Sequence, residues 1–262
     1  MNYLETIIAH KKEEVAARKN FQPFRQLEVQ PLFTRATYSL TSSVLHPASS
    51  GIIAEFKRRS PSKGIINAGA QVATVVEGYL RAGAAALSVL TDEKFFGGSN
   101  ADFSTARACS CPILRKDFVV DEYQIVEARS IGADAILLIA AVLSPAEART
   151  LTALAHSLHL EVLLEIHDEQ EWTRFAEVGA DVVGVNNRNL KTFEVSLSVS
   201  RQLAEILPRE LVKVSESGLD RVAAIHELRA CGYQGFLMGE IFMRQRHPEN
   251  AARDFIQELR RR

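Results

Sequence analysis

Cysteine is scarce in this chain, and the cysteines that are present lack the spacing of a metal site. Among 262 residues only Cys109, Cys111 and Cys231 are cysteines. Their number is odd, and a C-x-C pair alone cannot supply the four ligands of a structural zinc site. The seven histidines are scattered without companion ligands, and only His167, just after a predicted strand, lies where a site is expected. We therefore expect reduced, packed thiols and no metal.

Long apolar runs and an excess of charge of one sign are absent as well. No apolar stretch reaches the roughly 18 residues of a membrane-spanning helix, and the first residues lack the basic and then apolar pattern of a signal peptide. The net charge of -1 and the pI near 6.7 leave no electrostatic footprint for nucleic acid or an anionic membrane. We therefore expect a cytoplasmic protein without nucleic-acid or membrane partners.

Glycine motifs that bind nucleotides are the third absence. No G-x-G-x-x-G follows the first predicted strand and no G-x-x-x-x-G-K-[ST] occurs, which argues against dinucleotide-binding and P-loop folds. The chain has instead a phrase that recurs about every 50 residues, RAGAAALSVL, SIGADAILLI, EVGADVVGV and ACGYQGFLM, each a helix end, a glycine and a strand. The glycines, which suit a left-handed helix terminus because they lack Cβ, are Gly83, Gly132, Gly179 and Gly232.

Further strands and helices are predicted between these phrases. The other strands are expected at 51–57, 111–116, 161–166 and 211–215. Amphipathic helices, several with Asn, Asp, Ser or Pro at their start, are expected at 71–82, 100–109, 121–131, 145–158, 168–178, 196–207, 220–230 and 248–261. Eightfold β–α alternation with short connections predicts an α/β fold, a (β/α)₈ TIM barrel, rather than an open doubly wound sheet.

The first 50 residues do not join this repeat. Leu4, Ile7, Ile8 and Val15 have helical spacing in a charged background, which predicts an amphipathic N-terminal helix. A second helix is predicted over 31–40, and the pair would either cap the bottom or side of the barrel or cover its mouth. We therefore expect one domain over 1–262, with an N-terminal helical extension at 1–50 and the barrel at 51–262.

Five apolar runs end in an ionisable or amide side chain. Continuous aliphatic runs are typical of strands that are buried on both faces, where a charged side chain is unusual and suggests a function. Because the carboxyl ends of parallel barrel strands meet at one rim, these side chains should converge on one cleft. They are Glu55, Lys57, Lys116, Glu165, Asn186, Arg188 and Glu216.

Small residues follow the last two predicted strands, at Ser217-Gly218 and at Gly239-Glu240. TIM barrels often hold a phosphate with these loops, and small residues let backbone N–H groups approach an anion. Ser60, in the loop after the first strand, is placed to close such a site. The sequence therefore predicts a small phosphorylated substrate.

Several segments closely resemble the indole-3-glycerol phosphate synthase family of tryptophan biosynthesis. They are IIAEFKRRSPSKG, LSVLTDEKFFGGS, ILRKDFVVDEYQ, LLEIHDEQE, GVNNRNL and VSESG, and the similarity covers nearly the whole chain. The resemblance implies ring closure of 1-(2-carboxyphenylamino)-1-deoxyribulose 5-phosphate with loss of carbon dioxide and water, and no cofactor. Since the chain stops after one barrel, it looks like the stand-alone form rather than a fusion with phosphoribosylanthranilate isomerase, and we expect a monomer.

The resemblance also implies roles for the residues at the strand ends. Lys116 is the implied general acid and Glu165 the implied base, with Lys57 as a second acid or a partner of carboxylates. Glu55 and Glu216 would orient the lysines, while Asn186 would bond substrate hydroxyls. We expect burial and Lys57 to lower the pKa of Lys116, opposed by the glutamates.

Substrate contacts are implied at both ends of the cleft. Arg188 fits the anthranilate carboxylate, and Phe96 and Phe118 are candidate walls for the aromatic ring, with Leu137 and Leu190 as further candidates. The basic loop at 58–64 is typical of a mobile flap that closes over a substrate.

Two alternatives remain at this point. Phosphoribosylanthranilate isomerase shares the barrel and the ligand class, but it would be expected to use a cysteine and an aspartate at strand ends, and Cys109 and Cys111 precede the third strand, at the opposite rim. A degenerate phosphate-binding or assembly module would be expected to lack one of the lysines or glutamates, and all are present.

Overall fold

Eight parallel strands close on themselves in this computed structural model, which describes residues 3–261. The strands of this part of the chain are β1 (Ile52–Phe56), β2 (Arg59–Ser60), β3 (Gly64–Ile65), β4 (Ala86–Leu90), β5 (Ile113–Lys116), β6 (Ala135–Ile139), β7 (Glu161–Ile166), β8 (Val182–Asn186), β9 (Val212–Glu216) and β10 (Gly235–Met238). The order around the barrel is β1-β10-β9-β8-β7-β6-β5-β4, and β1 pairs with both β4 and β10. Strands β2 and β3 form a separate antiparallel hairpin.

Helices connect the strands and surround the barrel. They are α1 (Tyr3–Phe21), α2 (Phe24–Glu28), α3 (Leu40–Leu45), α4 (Val72–Ala82), α5 (Glu93–Phe96), α6 (Asn100–Ala106), α7 (Glu122–Ser130), α8 (Pro145–Ser157), α9 (Glu169–Phe175), α10 (Ser198–Ile206), α11 (Val222–Ala230), α12 (Glu240–Met243) and α13 (Pro248–Arg260). None of the helices within residues 3–261 is long and apolar enough to cross a membrane. The predicted TIM barrel is confirmed, and each of the eight predicted helices of the repeat has a counterpart.

The repeat follows from glycines at helix ends and from apolar strands. Gly83 and Gly132 have φ angles of +98° and +86°, so each ends a helix in the left-handed region, where a side chain would be strained. The strands that follow are continuously buried because helices cover the outer face and side chains fill the interior. Ile53, Leu114 and Leu163 belong to the interior layer.

Helix α3 closes the amino-terminal end of the barrel. Leu40 and Val44 are buried and pack with the interior layer of the barrel. The backbone N–H of Thr41 donates to a carboxylate oxygen of Glu161, the first residue of β7, at 2.8 Å. The extension therefore caps the bottom of the barrel, one of the two positions expected for it.

The predicted helix at 31–40 is wrong. Turns occupy 31–35 and an extended segment precedes α3. The backbone N–H of Tyr38 donates to Asp134 at 2.8 Å, and the Arg35 side chain also binds Asp134. Because bonds to a carboxylate of the barrel replace bonds along a helix, tertiary contacts override the local pattern here.

Helix α1 confirms the predicted N-terminal helix and lies at the other end of the barrel. Ile7, Lys11 and Val15 are its buried residues. Tyr3, Leu4 and Ile7 line the cavity at the carboxyl ends of the strands. The extension therefore also reaches the mouth of the barrel.

We expect Leu40→Ala to lower the free energy of unfolding by about 2–5 kcal/mol, because it leaves a cavity between α3 and the interior layer of the barrel. Leu45→Ala in the same helix is the matched control, since Leu45 is 48% exposed and Leu40 is fully buried. Urea unfolding followed by circular dichroism measures both. Equal losses for the two variants would contradict the packing role of Leu40.

Candidate active site

The carboxyl ends of the barrel strands form one cavity of about 780 Å³. Lys116, Asn186 and Glu216 are the last residues of β5, β8 and β9, and Glu165 is the penultimate residue of β7. Because the strands are parallel, these ends lie at the same rim. The predicted convergence of the strand-end side chains is confirmed, since Glu55, Lys57, Lys116, Glu165, Asn186, Arg188 and Glu216 all line this cavity.

The ammonium of Lys116 lies at the centre of the cluster. Its Nζ is 2.8 Å from Glu165 Oε2 and 3.0 Å from Glu216 Oε2. Asn186 Nδ2 donates to the other oxygen of Glu165 at 3.1 Å. The lysine is thus held between a carboxylate of β7, two strands away, and a carboxylate of β9, on the opposite side of the barrel.

These carboxylates keep Lys116 charged. Burial alone would lower the pKa of the Lys116 ammonium, but Glu165 and Glu216 outweigh burial and raise it above its ordinary value. Burial and the glutamates thus act in the expected directions, and the glutamates prevail. Lys57, which was expected to lower that pKa, is itself paired with Glu55, with 2.5 Å between Lys57 Nζ and Glu55 Oε1.

The pKa values of the two glutamates around Lys116 are shifted in opposite directions. Burial raises the pKa of Glu216 to about 7, and Glu165 adds to this effect while Lys116 opposes it. Glu216 Oε1 is buried without a hydrogen-bond partner in the described part of the chain and lies against Gly184, where a Cβ would collide with it. Burial would also raise the pKa of Glu165, but Lys116 and His167 lower it.

His167 is the second cation beside Glu165. Its Nε2 lies 3.3 Å from Glu165 Oε1, and its Nδ1 lies 3.1 Å from Glu171 Oε2. Burial would lower the pKa of His167, but the carboxylates of Glu165 and Glu171 raise it to about 10. His167 stood out in the sequence but had no predicted role, and Glu171 was not predicted. Glu171 follows His167 by four residues at the start of α9, and this spacing was the signal that could have identified it.

The predicted phosphate loops lie at one side of the cavity. Ser217 and Gly218 have φ angles of +67° and +74°, and a Cβ at Gly239 would lie 2.8 Å from Glu55. Ser60 is 6% exposed, and its hydroxyl has no hydrogen-bond partner within residues 3–261. Ser60, Ser217, Gly218 and Gly239, which were predicted to bind phosphate, all line the cavity. Glu55 lines it as well.

Basic side chains surround Glu240 at the same side. Lys63 Nζ lies 3.8 Å and Arg188 Nη2 lies 3.6 Å from its carboxylate oxygens. Arg188 also donates to the Phe193 carbonyl at 3.2 Å. Arg188 therefore faces the phosphate loops as well as the centre of the cavity.

Aromatic side chains line the other side. The ring centroids of Phe96 and Phe118 are 5.8 Å apart, and both side chains line the cavity. Leu137 and Leu190, which were further candidates for this wall, also line it. The cavity thus has an apolar side and a side of small and basic residues, with Lys116 near the middle.

The basic loop after β1 is a hairpin rather than an irregular segment. Strands β2 and β3 pair through Arg59 and Ser60, and Arg58 forms a bidentate pair with Asp102 at 2.6 and 3.0 Å. Arg59 Nε donates to the carbonyl of Phe95 at 3.2 Å. The hairpin is thereby joined to the segment that carries Phe96.

A closed parallel barrel with a charged cavity at the carboxyl ends of its strands is the arrangement of TIM-barrel enzymes. The thiamine phosphate pyrophosphorylase of Pyrococcus furiosus shares this fold, with a TM-score of 0.60 and 15% identity over 84% of this chain and 99% of that chain. The family model for indole-3-glycerol phosphate synthase matches residues 4–255.

Curated relatives agree with this match. The indole-3-glycerol phosphate synthase of Bacteroides thetaiotaomicron is 46% identical over 257 residues, 98% of each chain. That of Burkholderia multivorans is 44% identical over 97% of this chain and 98% of the relative. The chain belongs to the indole-3-glycerol phosphate synthase family, and it is therefore an enzyme, a lyase of tryptophan biosynthesis.

The raised pKa of His167 makes stability depend on pH. Its charged form is favoured by folding, so this stabilisation is complete below the ordinary pKa of 6.5 and is lost as the pH rises to about 10. We expect the free energy of unfolding of the natural protein to fall relative to His167→Gln across that range, by at most about 1.4 kcal/mol per pH unit.

Urea unfolding of the natural protein and of His167→Gln at a series of pH values measures this difference. Glu171→Gln is the companion variant and should show a weaker pH dependence than the natural protein, because one of the two carboxylates at His167 is gone. Parallel stability profiles for the natural protein and His167→Gln would contradict a charged His167.

Proposed function

We propose that this chain converts 1-(2-carboxyphenylamino)-1-deoxyribulose 5-phosphate to indole-3-glycerol phosphate, with release of carbon dioxide and water. The observation that carries the proposal is the Lys116 ammonium between Glu165 and Glu216, inside a cavity with an aromatic side and a side of small residues. Family membership supports the same reaction. As the family resemblance implies, the protein acts as a monomer with one barrel domain, and the reaction requires no cofactor.

The two sides of the cavity fit the two ends of this substrate. The phosphate is bound by the segments at Ser217-Gly218 and Gly239-Glu240, with the unpartnered Ser60 hydroxyl as a further donor. The phenyl ring lies against Phe96 and Phe118. Arg188 binds the anthranilate carboxylate, and Asn186 binds a substrate hydroxyl.

Lys116 acts in the ring closure. The aryl carbon attacks the ribulosyl carbonyl, and the developing oxyanion needs a cation and then a proton. An alkoxide is far more basic than an ammonium, so Lys116 donates its proton readily although its own pKa is raised. Loss of carbon dioxide from the same carbon then restores the aromatic ring.

The low pKa of Glu165 is compatible with its role as a base because its environment changes during the reaction. In the resting site, Lys116 and His167 hold that pKa down. Once Lys116 has given its proton to the oxyanion, one of these cations is gone and the basicity of Glu165 rises. Glu165 then accepts a proton in the dehydration that forms the indole.

Lys57 assists at the departing hydroxyl. Its ammonium, held by Glu55 at the end of β1, is the second acid available within the cavity. Glu55 and Glu216 orient the two lysines and balance their charge. Each acid thus has a carboxylate partner of its own, while Glu165 is shared between Lys116 and His167.

The direct test mixes purified protein with the carboxyphenylamino-deoxyribulose phosphate in buffer that contains a metal chelator. Rising indole fluorescence would support the synthase reaction without a metal. Folded protein that binds inorganic phosphate but yields no indole signal would contradict the proposal and favour the isomerase or a binding module.

We expect Lys116→Met to lower kcat by at least about a thousandfold, because it removes the acid that meets the oxyanion. Affinity for inorganic phosphate, measured by calorimetry, should stay within about threefold, since the phosphate loops are intact. Lys213→Met is the matched control, because Lys213 is a buried strand lysine whose Nζ donates to the Pro208 carbonyl, away from the cavity. Weakened phosphate binding with kcat retained in Lys116→Met would overturn the assignment.

A further inference from the structure

Lys11 of α1 is a fully buried lysine that contacts three carboxylates. Its Nζ lies 2.9 Å from Glu14, 3.0 Å from Asp92 and 3.0 Å from Asp117. Burial alone would lower the pKa of Lys11, but Asp117, Asp92 and Glu14 raise it, so the side chain is charged. Its neighbour Lys12 is exposed.

The two aspartates belong to the segments that build the aromatic side of the cavity. Asp92 caps α5, and its Oδ1 accepts the backbone N–H groups of Phe95 at 2.7 Å and Phe96 at 3.2 Å. Asp117 directly follows Lys116, and its Oδ1 accepts the backbone N–H of Phe118 at 2.8 Å. One ammonium from α1 therefore joins the two segments that carry the aromatic pair.

The two aspartates depend on Lys11 to different degrees. Asp117 has a second cation, since Arg115 Nη2 lies 3.5 Å away. For Asp92, Lys11 is the one paired cation in the described part of the chain. Asp92 is fully buried, and a buried carboxylate that loses its cation must move to water or take up a proton. Either change weakens the cap of α5.

We infer that Lys11 is a positioning residue, whose ammonium fixes Asp92 and Asp117 and thereby sets Phe96 against Phe118 at the substrate cavity. This role rests on the proposed function for its kinetic consequence, but not for its structural one. Lys11 lies behind the aromatic side and does not line the cavity. It therefore acts through the two aspartates rather than by touching the substrate.

The structural consequence is tested by amide hydrogen exchange. In Lys11→Met we expect the amides of Phe95 and Phe96 to exchange at least about tenfold faster than in the natural protein, because the cap of α5 is weakened. Lys12→Met is the matched control and should leave both rates unchanged. Unchanged exchange in Lys11→Met would overturn the inference. This result does not require turnover, so it stands whether or not the proposed reaction is found.

The kinetic consequence is a loss of substrate affinity at the aromatic end of the substrate, with phosphate binding retained. The aromatic wall binds substrate and transition state alike, so we expect Lys11→Met to raise KM at least about tenfold with kcat within about threefold. Affinity for inorganic phosphate should stay within about twofold, since the phosphate loops are on the other side. Equal losses of phosphate affinity and substrate affinity would indicate general loosening and would overturn the positioning role.

A second variant keeps the inference testable where Lys11→Met fails to fold. Lys11→Met combined with Asp92→Asn removes the carboxylate that has lost its cation, and the amide oxygen of the asparagine can still cap α5. We expect this double variant to exchange at Phe95 and Phe96 about as slowly as the natural protein and to have a KM close to that of the natural protein. A double variant that exchanges rapidly at both amides would show that the cap does not depend on the charge balance at Lys11.

Discussion

The ammonium of Lys116, whose side chain is only 12% exposed, is the constraint on which the rest of the site depends. A charge removed from water is tolerated only with opposite charges and hydrogen bonds around it. Glu165 and Glu216 supply those charges, yet one cation cannot balance two carboxylates. His167 is a second cation beside Glu165, and burial raises the pKa of Glu216 to about 7. The positions of these side chains follow from the need to balance charge in a closed space.

The two ends of the barrel have different roles, since one carries the charged cluster and the other supports it by packing. The parallel strands bring the charged side chains to one rim and leave the other rim to packing. The N-terminal extension serves both ends, because α3 fills the amino-terminal end with Leu40 and Val44 while α1 reaches the cavity. Contacts of α3 therefore support the barrel, whereas contacts of α1 shape the substrate cavity.

The elements of the fold were predictable because their signals are local, whereas some of the site was not. Glycines such as Gly83 mark helix ends, and strands that end in Lys116 or Glu165 predict a shared rim. The helix predicted at 31–40 was wrong because Tyr38 binds Asp134, which is distant in sequence. The charged state of Lys116 depends on distances that no pattern contains. Lys11 lies four residues after Ile7 and four before Val15, on the face that becomes buried. Its partners Asp92 and Asp117 are distant in sequence, so the spacing could not identify them.

Carboxyl NMR of protein labelled with ¹³C at the glutamate side chains tests the charge balance around Lys116 most directly. The Glu216 signal, assigned by its loss in Glu216→Gln, should titrate near 7, well above the ordinary value of 4.5. The Glu165 signal should remain that of a carboxylate to a pH well below its ordinary value of 4.5. Titration of both glutamates together near their ordinary value would contradict the separation of their two pKa values around one ammonium.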